Sequence, residues 1–368
     1  MYQVSNKRKM KLNRWFWITV SWVLVAQFQV LYDYLTLRNY APAMLADFDY
    51  QLEAGIKLGG AVVAGLLGAW VLVFRKERIT GTKSFRVAVL QAIGLYLATI
   101  ALVSALGAWA FQAYQLSAGV FDAATLQAVL DFMIGPEFLK LVLFWGGVFG
   151  ITALVMMAND KYGPGQLRML VLGKYHQPRQ EERIFMFLDI RSSTTIAEQL
   201  GEAKYFELCR DFFHDITDPV LVARGKFYQY VGDEAVISWS MRNGLTNAHC
   251  LRCFFAIHQR IQELGPHYEV TYGVIPEFKA GVHCGTVTAG EIGVVKRDLV
   301  FSGDVLNTTA RIQAKCNALG ADLLVSDELI ARLGQLPNLQ VRSVGRVELR
   351  GKAQPVGISA VSEQASAG

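Results

Sequence analysis

The stretch Ile184–Leu200 reads IFMFLDIRSSTTIAEQL, and the reading of the second half of the chain turns on it. The apolar run Ile184–Leu188 predicts a buried strand. It ends at a single acid, Asp189. Arg191, Ser192, Ser193, Thr194 and Thr195 come next as a polar turn rich in N-cap residues, and Ile196-Ala197-x-x-Leu200 opens a helical pattern. A carboxylate at the end of a buried strand supplies hard oxygens for a metal ion. The free N–H groups of the next helix start supply donors for a phosphate. Capping residues are also favoured at any strand–turn–helix junction, so an ordinary N-cap turn is the alternative at this point.

Composition divides the chain. Of 368 residues 52% are hydrophobic and only 18% charged, apolar for a soluble protein. The long uncharged runs all precede about Ala158, and the remainder of the chain has globular composition. A net charge of +5 is too small to argue for a nucleic-acid partner, and none is expected. All five cysteines (Cys209, Cys250, Cys253, Cys284, Cys316) lie in the second part, an odd number that fits free thiols in a reducing compartment. Cys250 and Cys253 have CxxC spacing but no second pair and a helical context, so they read as structural.

Four stretches approach the ~20 apolar residues needed to cross a bilayer: Trp15–Tyr32, Leu58–Phe74, Val87–Phe111 and Leu141–Ala158. The first is longer than a signal-peptide core and no cleavage site comes after it. Basic residues precede the first span (Lys7, Arg8, Lys9, Lys11, Arg14) and fill the loop after the second (Arg75, Lys76, Arg78, Lys83, Arg86). The other loops carry Asp47, Asp49 and Glu53, then Asp122, Asp131 and Glu137. The positive-inside rule therefore places the N-terminus and everything after the fourth span in the cytoplasm of a multi-pass protein of the cell membrane. In the second span, Gly60-xxx-Ala64-xxx-Gly68 and Ala61-xxx-Gly65 make small faces for close helix approach. No histidine precedes His176, which excludes a bis-histidine haem in the bundle, and no lysine sits at mid-span for a retinal Schiff base. Asp122–Ile134 predicts an amphipathic helix at the outer surface.

A linker, 159–182, passes Gly163-Pro164-Gly165, a short helix over Gln166–Gly173 and a stop at Pro178. Beyond it, the helix of the opening stretch runs on through Phe206, Cys209, Phe212, Phe213 and Ile216, with a boundary at Asp218-Pro219. Gly225–Trp239 predicts two strands around Val231-Gly232-Asp233-Glu234, a hairpin with a second acid at its tip. If this hairpin pairs beside the first strand, Asp189 and Asp233 converge. Two close carboxylates repel unless a cation lies between them, which points to magnesium. A helix over Asn247–Leu264 precedes strands Phe278–Val282 and Thr286–Ala289. Asn307 and Arg311 then stand four apart on one helix face, as a pair gripping one ligand would. Strands Leu323–Ser326, Val341–Val344 and Val347–Leu349, with a helix near Asp327–Leu333, complete the domain.

Four motifs, FLDIRSST, YVGDEAVISW, FKAGVHCGTVTAGEIG and SGDVLNTTARI, occur in the order and at the spacing of one family. Over about Arg183–Val361 the chain resembles the catalytic domain of the class III nucleotidyl cyclases. Together with the four apolar stretches read above, which give a membrane bundle of four spans (1–158) and then the linker, the resemblance implies a ferredoxin-like α+β cyclase domain (183–361) in the cytoplasm and a tail (362–368). It implies a homodimer in the lipid bilayer that converts ATP to 3′,5′-cyclic AMP and pyrophosphate, with two magnesium ions that manganese can replace. Asp189 and Asp233, with the carbonyl of Ile190, would match the metal ligands. Asn307 and Arg311 of the partner chain would match the catalytic pair. Arg191, Ser192, Ser193 and Thr194, with Lys279 and Arg350, would match the phosphate contacts. The sequence departs from the adenylate pattern at the base: Gln229 stands where a lysine is expected, and Val300, with Ser302 nearby, where an acid or threonine is expected. Glutamine both donates and accepts, so it suits adenine or guanine. The alternatives are a guanylate cyclase acting on GTP, a membrane receptor with a weak or inactive nucleotide-binding domain, and a transporter-like bundle, the last opposed by the lack of intramembrane charge.

Overall fold

The computed structural model describes residues 2–75, 85–115, 121–162, 173–294, 298–348 and 355–364. The chain forms two compact units, Met1–Pro164 and Gly165–Gly368. Lys76, Arg78 and Lys83 of the basic loop, the expected short helix up to residue 172, and Arg350 lie outside the described residues.

The first unit contains α1 (Tyr2–Tyr40), α2 (Tyr50–Trp70), α3 (Phe85–Gln115), α4 (Ala123–Ile134) and α5 (Pro136–Tyr162). Asp49 caps α2 by accepting from the N–H groups of Gln51 and Leu52. α4 forms where a helix was expected over Asp122–Ile134, and Gly135 followed by Pro136 separates it from α5. Among the described residues three helices are long and apolar enough to cross a membrane: Lys11–Tyr40, Tyr50–Phe74 and Pro136–Asn159. The expected third span lies in α3, whose qualifying apolar stretch, Ile93–Trp109, is shorter. α1 packs on both small faces of α2: a Cβ on Gly65 would meet Thr19 at 3.0 Å and one on Gly68 would meet Trp22 at 2.7 Å. Side chains tie the helices: Trp22 Nε1 donates to Thr152 Oγ1 at 3.0 Å, and Tyr96 Oη to the Val142 carbonyl at 2.8 Å.

The second unit is built on β1 (Arg179–Ile190), twelve residues rather than the five of the apolar run. That run does not alternate because both faces of the sheet are covered. Ile184, Met186, Leu188 and Ile190 enter one core, Phe185 and Phe187 the other. After β1 come α6 (Ser193–Leu200), α7 (Glu202–Asp215) and α8 (Thr217–Val222), then the hairpin β2 (Lys226–Val231) and β3 (Glu234–Ser240). α9 (Met241–Leu245), α10 (His249–Glu263) and α11 (Gly265–Tyr272) lead to β4 (Phe278–Ile292) and β5 (Asp298–Ser302). α12 (Asp304–Ala314), β6 (Leu323–Ser326), α13 (Asp327–Leu333), β7 (Leu339–Val347) and β8 (Val356–Glu363) close the unit. The sheet order is β2-β3-β1-β4-β6-β8-β7, with β5 paired to β4 and one parallel pair, β4–β6.

Three expectations are corrected. The helix read as continuous from Ile196 to Ile216 breaks at Gly201, whose φ of +77° a side chain would resist. The two strands read either side of His283-Cys284-Gly285 are one, because His283 is buried and bonded to Ser326 at 2.8 Å instead of sitting in a turn. The strand read at Val341–Val344 and the start of the one read at Val347 belong to the single bulged strand β7, Leu349 lies outside the described residues, and β8 is an additional strand. The CxxC thiols of α10 are fully buried, and burial pushes Cys250 up to about 12, which keeps it protonated.

α12 rests on β4 where two glycines remove side chains. A Cβ on Gly281 would collide with the backbone N of Gln313 and stand 2.8 Å from its Cα; one on Gly285 would meet Val305 at 2.7 Å. Gly281→Ala should therefore displace α12 and lower stability by about 1–3 kcal/mol. An unchanged midpoint in thermal or denaturant unfolding would contradict this close approach.

Candidate active site

The site begins with register. β1 lies between β3 and β4, and Asp189 is opposite Glu234 on one side and Lys279 on the other. The β2–β3 hairpin turns through Gly232-Asp233, with Val231 paired to Glu234 and Gly232 at φ +63°. A two-residue hairpin favours glycine at the first turn position. The turn thus sets Asp233 beside the end of β1, where it meets Asp189. Asp189, Asp233 and Glu234 repel one another: burial and then its neighbours' charge push Glu234 up to about 7. Burial and the charge of Asp233 also push Asp189 up, while Lys279 and Gln313 pull it down.

Lys279 Nζ lies 3.2 Å from Asp189 Oδ2, and Gln313 Nε2 donates to the same oxygen at 2.8 Å. Lys279, expected at the outer phosphates, is instead the counter-ion of Asp189, because β4 places it directly across the ladder. Gln313 and Glu234 are additions to the site. The signal for Gln313 was an amide within the buried stripe Val305, Thr309, Ile312 of α12.

Ile190 is buried at the end of β1, and Ser192 adopts a left-handed conformation (φ +52°) that turns the chain into α6. The first N–H groups of α6 have no intrahelical acceptors, which leaves Ser193 and Thr194 at an anion-ready helix start. Arg191 is committed elsewhere. Its guanidinium bonds Asn317 (2.6 Å), the Ala321 carbonyl (3.0 Å) and Asp322 (2.7 Å), and its N–H donates to the Glu277 carbonyl. Its side chain is therefore a brace for the turn, not a free phosphate ligand.

Asn307 is exposed and Arg311 half-buried, and among the described residues neither has a hydrogen-bond or ion-pair partner. They project from the face of α12 opposite Gln313, so they do not join Asp189 of their own chain. Gln229 is exposed beside a bulge in β2, Val300 half-buried and Ser302 exposed on β5. The structure joins these strands one residue away, where the Phe301 N–H donates to Tyr228 Oη at 3.2 Å and their rings lie 5.0 Å apart.

A divalent ion fits this donor set. Among the described residues no group of three or more His, Cys, Asp and Glu side chains is arranged around one metal. Two aspartates and a backbone carbonyl leave the remaining positions to substrate phosphates and water, the arrangement magnesium prefers. Crowded acids whose ionisation is suppressed, one already holding an ammonium, are what a cation would relieve.

The family model of the adenylate and guanylate cyclase catalytic domain matches residues 175–359 of the 368. The chain belongs to that family. Among curated proteins, adenylate cyclase 2 of Rhizobium meliloti is 34% identical over 209 residues, covering 57% of this chain and 58% of that protein. An adenylate cyclase of Anabaena cylindrica is 23% identical over 179 residues, 47% of this chain and 35% of its own. The match thus spans little more than half the length of the first relative and about a third of the second. Among solved structures, a bacterial light-regulated adenylyl cyclase superposes with a TM-score of 0.52 at 19% identity, over 60% of this chain and 65% of that one. That likeness supports the fold of the cyclase domain.

The acid cluster makes the metal-free cyclase domain pH-sensitive. Glu234 holds its proton up to about 7 when folded and to 4.5 by its ordinary value, so the folded form binds more protons in between. With a chelator present, stability should fall as pH rises from about 4.5 to about 7. Magnesium should reverse that fall, as read from melting curves of the full chain.

Proposed function

We propose that this chain is a membrane-anchored adenylate cyclase that converts ATP to 3′,5′-cyclic AMP and pyrophosphate at sites shared across a homodimer. The observation that carries the reading is the convergence of Asp189 and Asp233 at the end of β1 within a domain of the cyclase family. Asp189, Asp233 and the Ile190 carbonyl would hold two divalent ions, magnesium or manganese. When bound, such ions lower the pKa of the ribose 3′-hydroxyl and neutralise charge on the transferring phosphoryl and leaving group. The residues of the chain do the rest. Ser193 and Thr194 at the α6 start bind phosphate oxygens. Asn307 orients the ribose, and Arg311 places positive charge where the α-phosphate gains negative charge in the transition state. Gln229, Val300 and Ser302 form the base pocket, and ATP is favoured by the names of the curated relatives.

The outward face of α12 supports a shared site. Asn307 and Arg311 look away from the acids of their own chain, so a second copy must receive them. The positive-inside pattern, the three helices long enough to cross and the shorter apolar stretch Ile93–Trp109 support a four-span anchor (1–158) with the N-terminus, linker (159–182) and cyclase domain (183–361) in the cytoplasm.

Purified protein with magnesium or manganese should release cyclic AMP from ATP faster than cyclic GMP from GTP; the reverse ratio would assign it as a guanylate cyclase. Asp233→Asn should cut turnover by more than about a hundredfold, beyond the usual effect of an outer-shell change. Full activity in that variant would defeat the metal assignment.

Chains carrying Asp189→Ala and chains carrying Asn307→Ala should each be inactive alone. Mixed, they should regain part of the activity, because one of the two sites in a mixed dimer is whole. The absence of rescue in co-purified mixed dimers would argue against shared sites.

A further inference from the structure

The first unit contains a half-open cavity of about 610 Å³ lined mainly by α1, α2, α3 and α5, a volume typical of small-molecule sites. Gly65 packs on Thr19 of α1, whereas Gly60 and Ala64 of the other small face line the cavity, together with Ala61 and Gly68, and a Cβ on Gly60 would meet only Val103, at 3.7 Å. Gly107 of α3 forms the opposite wall and has nothing within 4 Å of an added Cβ. Small residues on facing helices here hold a space open instead of closing it.

The lining grades along the helix axes. One end is aromatic, with Trp22 6.0 Å from Trp145 and Tyr96 4.9 Å from Phe149 between ring centroids. The other end is charged, about 16 Å away along α1 from Trp22 to Asp33. The charges there are already paired: Lys57 lies 2.7 Å from Asp33 and 3.9 Å from Glu53, and Lys140 lies 3.8 Å from Glu137. A charged head group would have to break one of these pairs. Between the ends, Ser104 is 8% exposed, faces the cavity and has no hydrogen-bond partner among the described residues. The neighbouring wall hydroxyl of Thr99 donates to its own helix, to the Leu95 carbonyl at 2.8 Å. The Ser104 oxygen is open to the cavity rather than sealed from it, so a ligand oxygen there gains a hydrogen-bond partner.

We propose that this cavity binds an uncharged lipophile, an apolar tail carrying one hydrogen-bonding oxygen that meets Ser104. The proposal rests on the membrane reading of this unit, which co-elution of the full chain with lipid nanodiscs tests separately. The probe is a medium-chain alcohol bearing a photoactivated diazirine, with its attachment sites mapped by mass spectrometry in nanodiscs. Label should concentrate on the cavity walls of α2 and α3 and be competed by excess decanol more strongly than by decanoate or decylamine. Ala64→Phe and Gly107→Phe, filling the cavity from opposite walls, should each abolish wall labelling while retaining basal cyclase activity, and Ser104→Ala should weaken competition several-fold. Labelling confined to outward residues such as Phe28 and Leu143, or wall labelling unchanged in both filled variants, would overturn the site. Competition led by decanoate or decylamine would overturn the uncharged class.

Discussion

Everything in the cyclase domain hangs on one strand that cannot move. Its apolar run is covered on both faces, and its two neighbours are antiparallel, β4 over the whole of β1 and β3 from Arg183 to Asp189. A slip of one residue would turn Ile184, Met186 and Leu188 into the other core and carry Asp189 to the wrong side of the sheet. The burial that stabilises the strand therefore also locates its last acid. β3 and β4 then bring Glu234 and Lys279 to fixed places beside it. Around it the ladder supplies Glu234 and Lys279, the β2–β3 turn supplies Asp233 and α12 supplies Gln313.

Asp189 differs from a surface carboxylate in who answers its charge. Burial and Asp233 oppose its ionisation, while Lys279 and Gln313 favour it. The outcome is a carboxylate kept partly satisfied by groups that a stronger cation could displace. Such an arrangement lets the domain assemble without a metal and still leaves a reason to take one up.

Much of this was legible in the residues. The apolar run before Asp189, the hairpin around Gly232 and the Asn307–Arg311 spacing each depend on local rules, and each element is present. Misreadings arose where tertiary contacts decide. His283 and Gly285 look like a turn until Ser326 and Val305 are known to pack on them. Lys279 looks like a phosphate ligand until the register puts it across from Asp189. Gln313 could be found only by asking why an amide interrupts an apolar stripe. In the first unit, the small residues of α2 read alike in sequence, and only the position of α1 tells Gly65, packed on Thr19, from Gly60, whose side is open.

α12 behaves as a rigid body with two loads. Its inner face is clamped to β4 through Gly281 and Gly285 and reaches Asp189 through Gln313. Its outer face carries Asn307 and Arg311 away from those acids. In the proposed dimer one short helix would thus be bolted to the acids of one pocket while it serves the nucleotide of the other, and a tilt of α12 at one pocket would reach the second, which would make the two halves a geared pair.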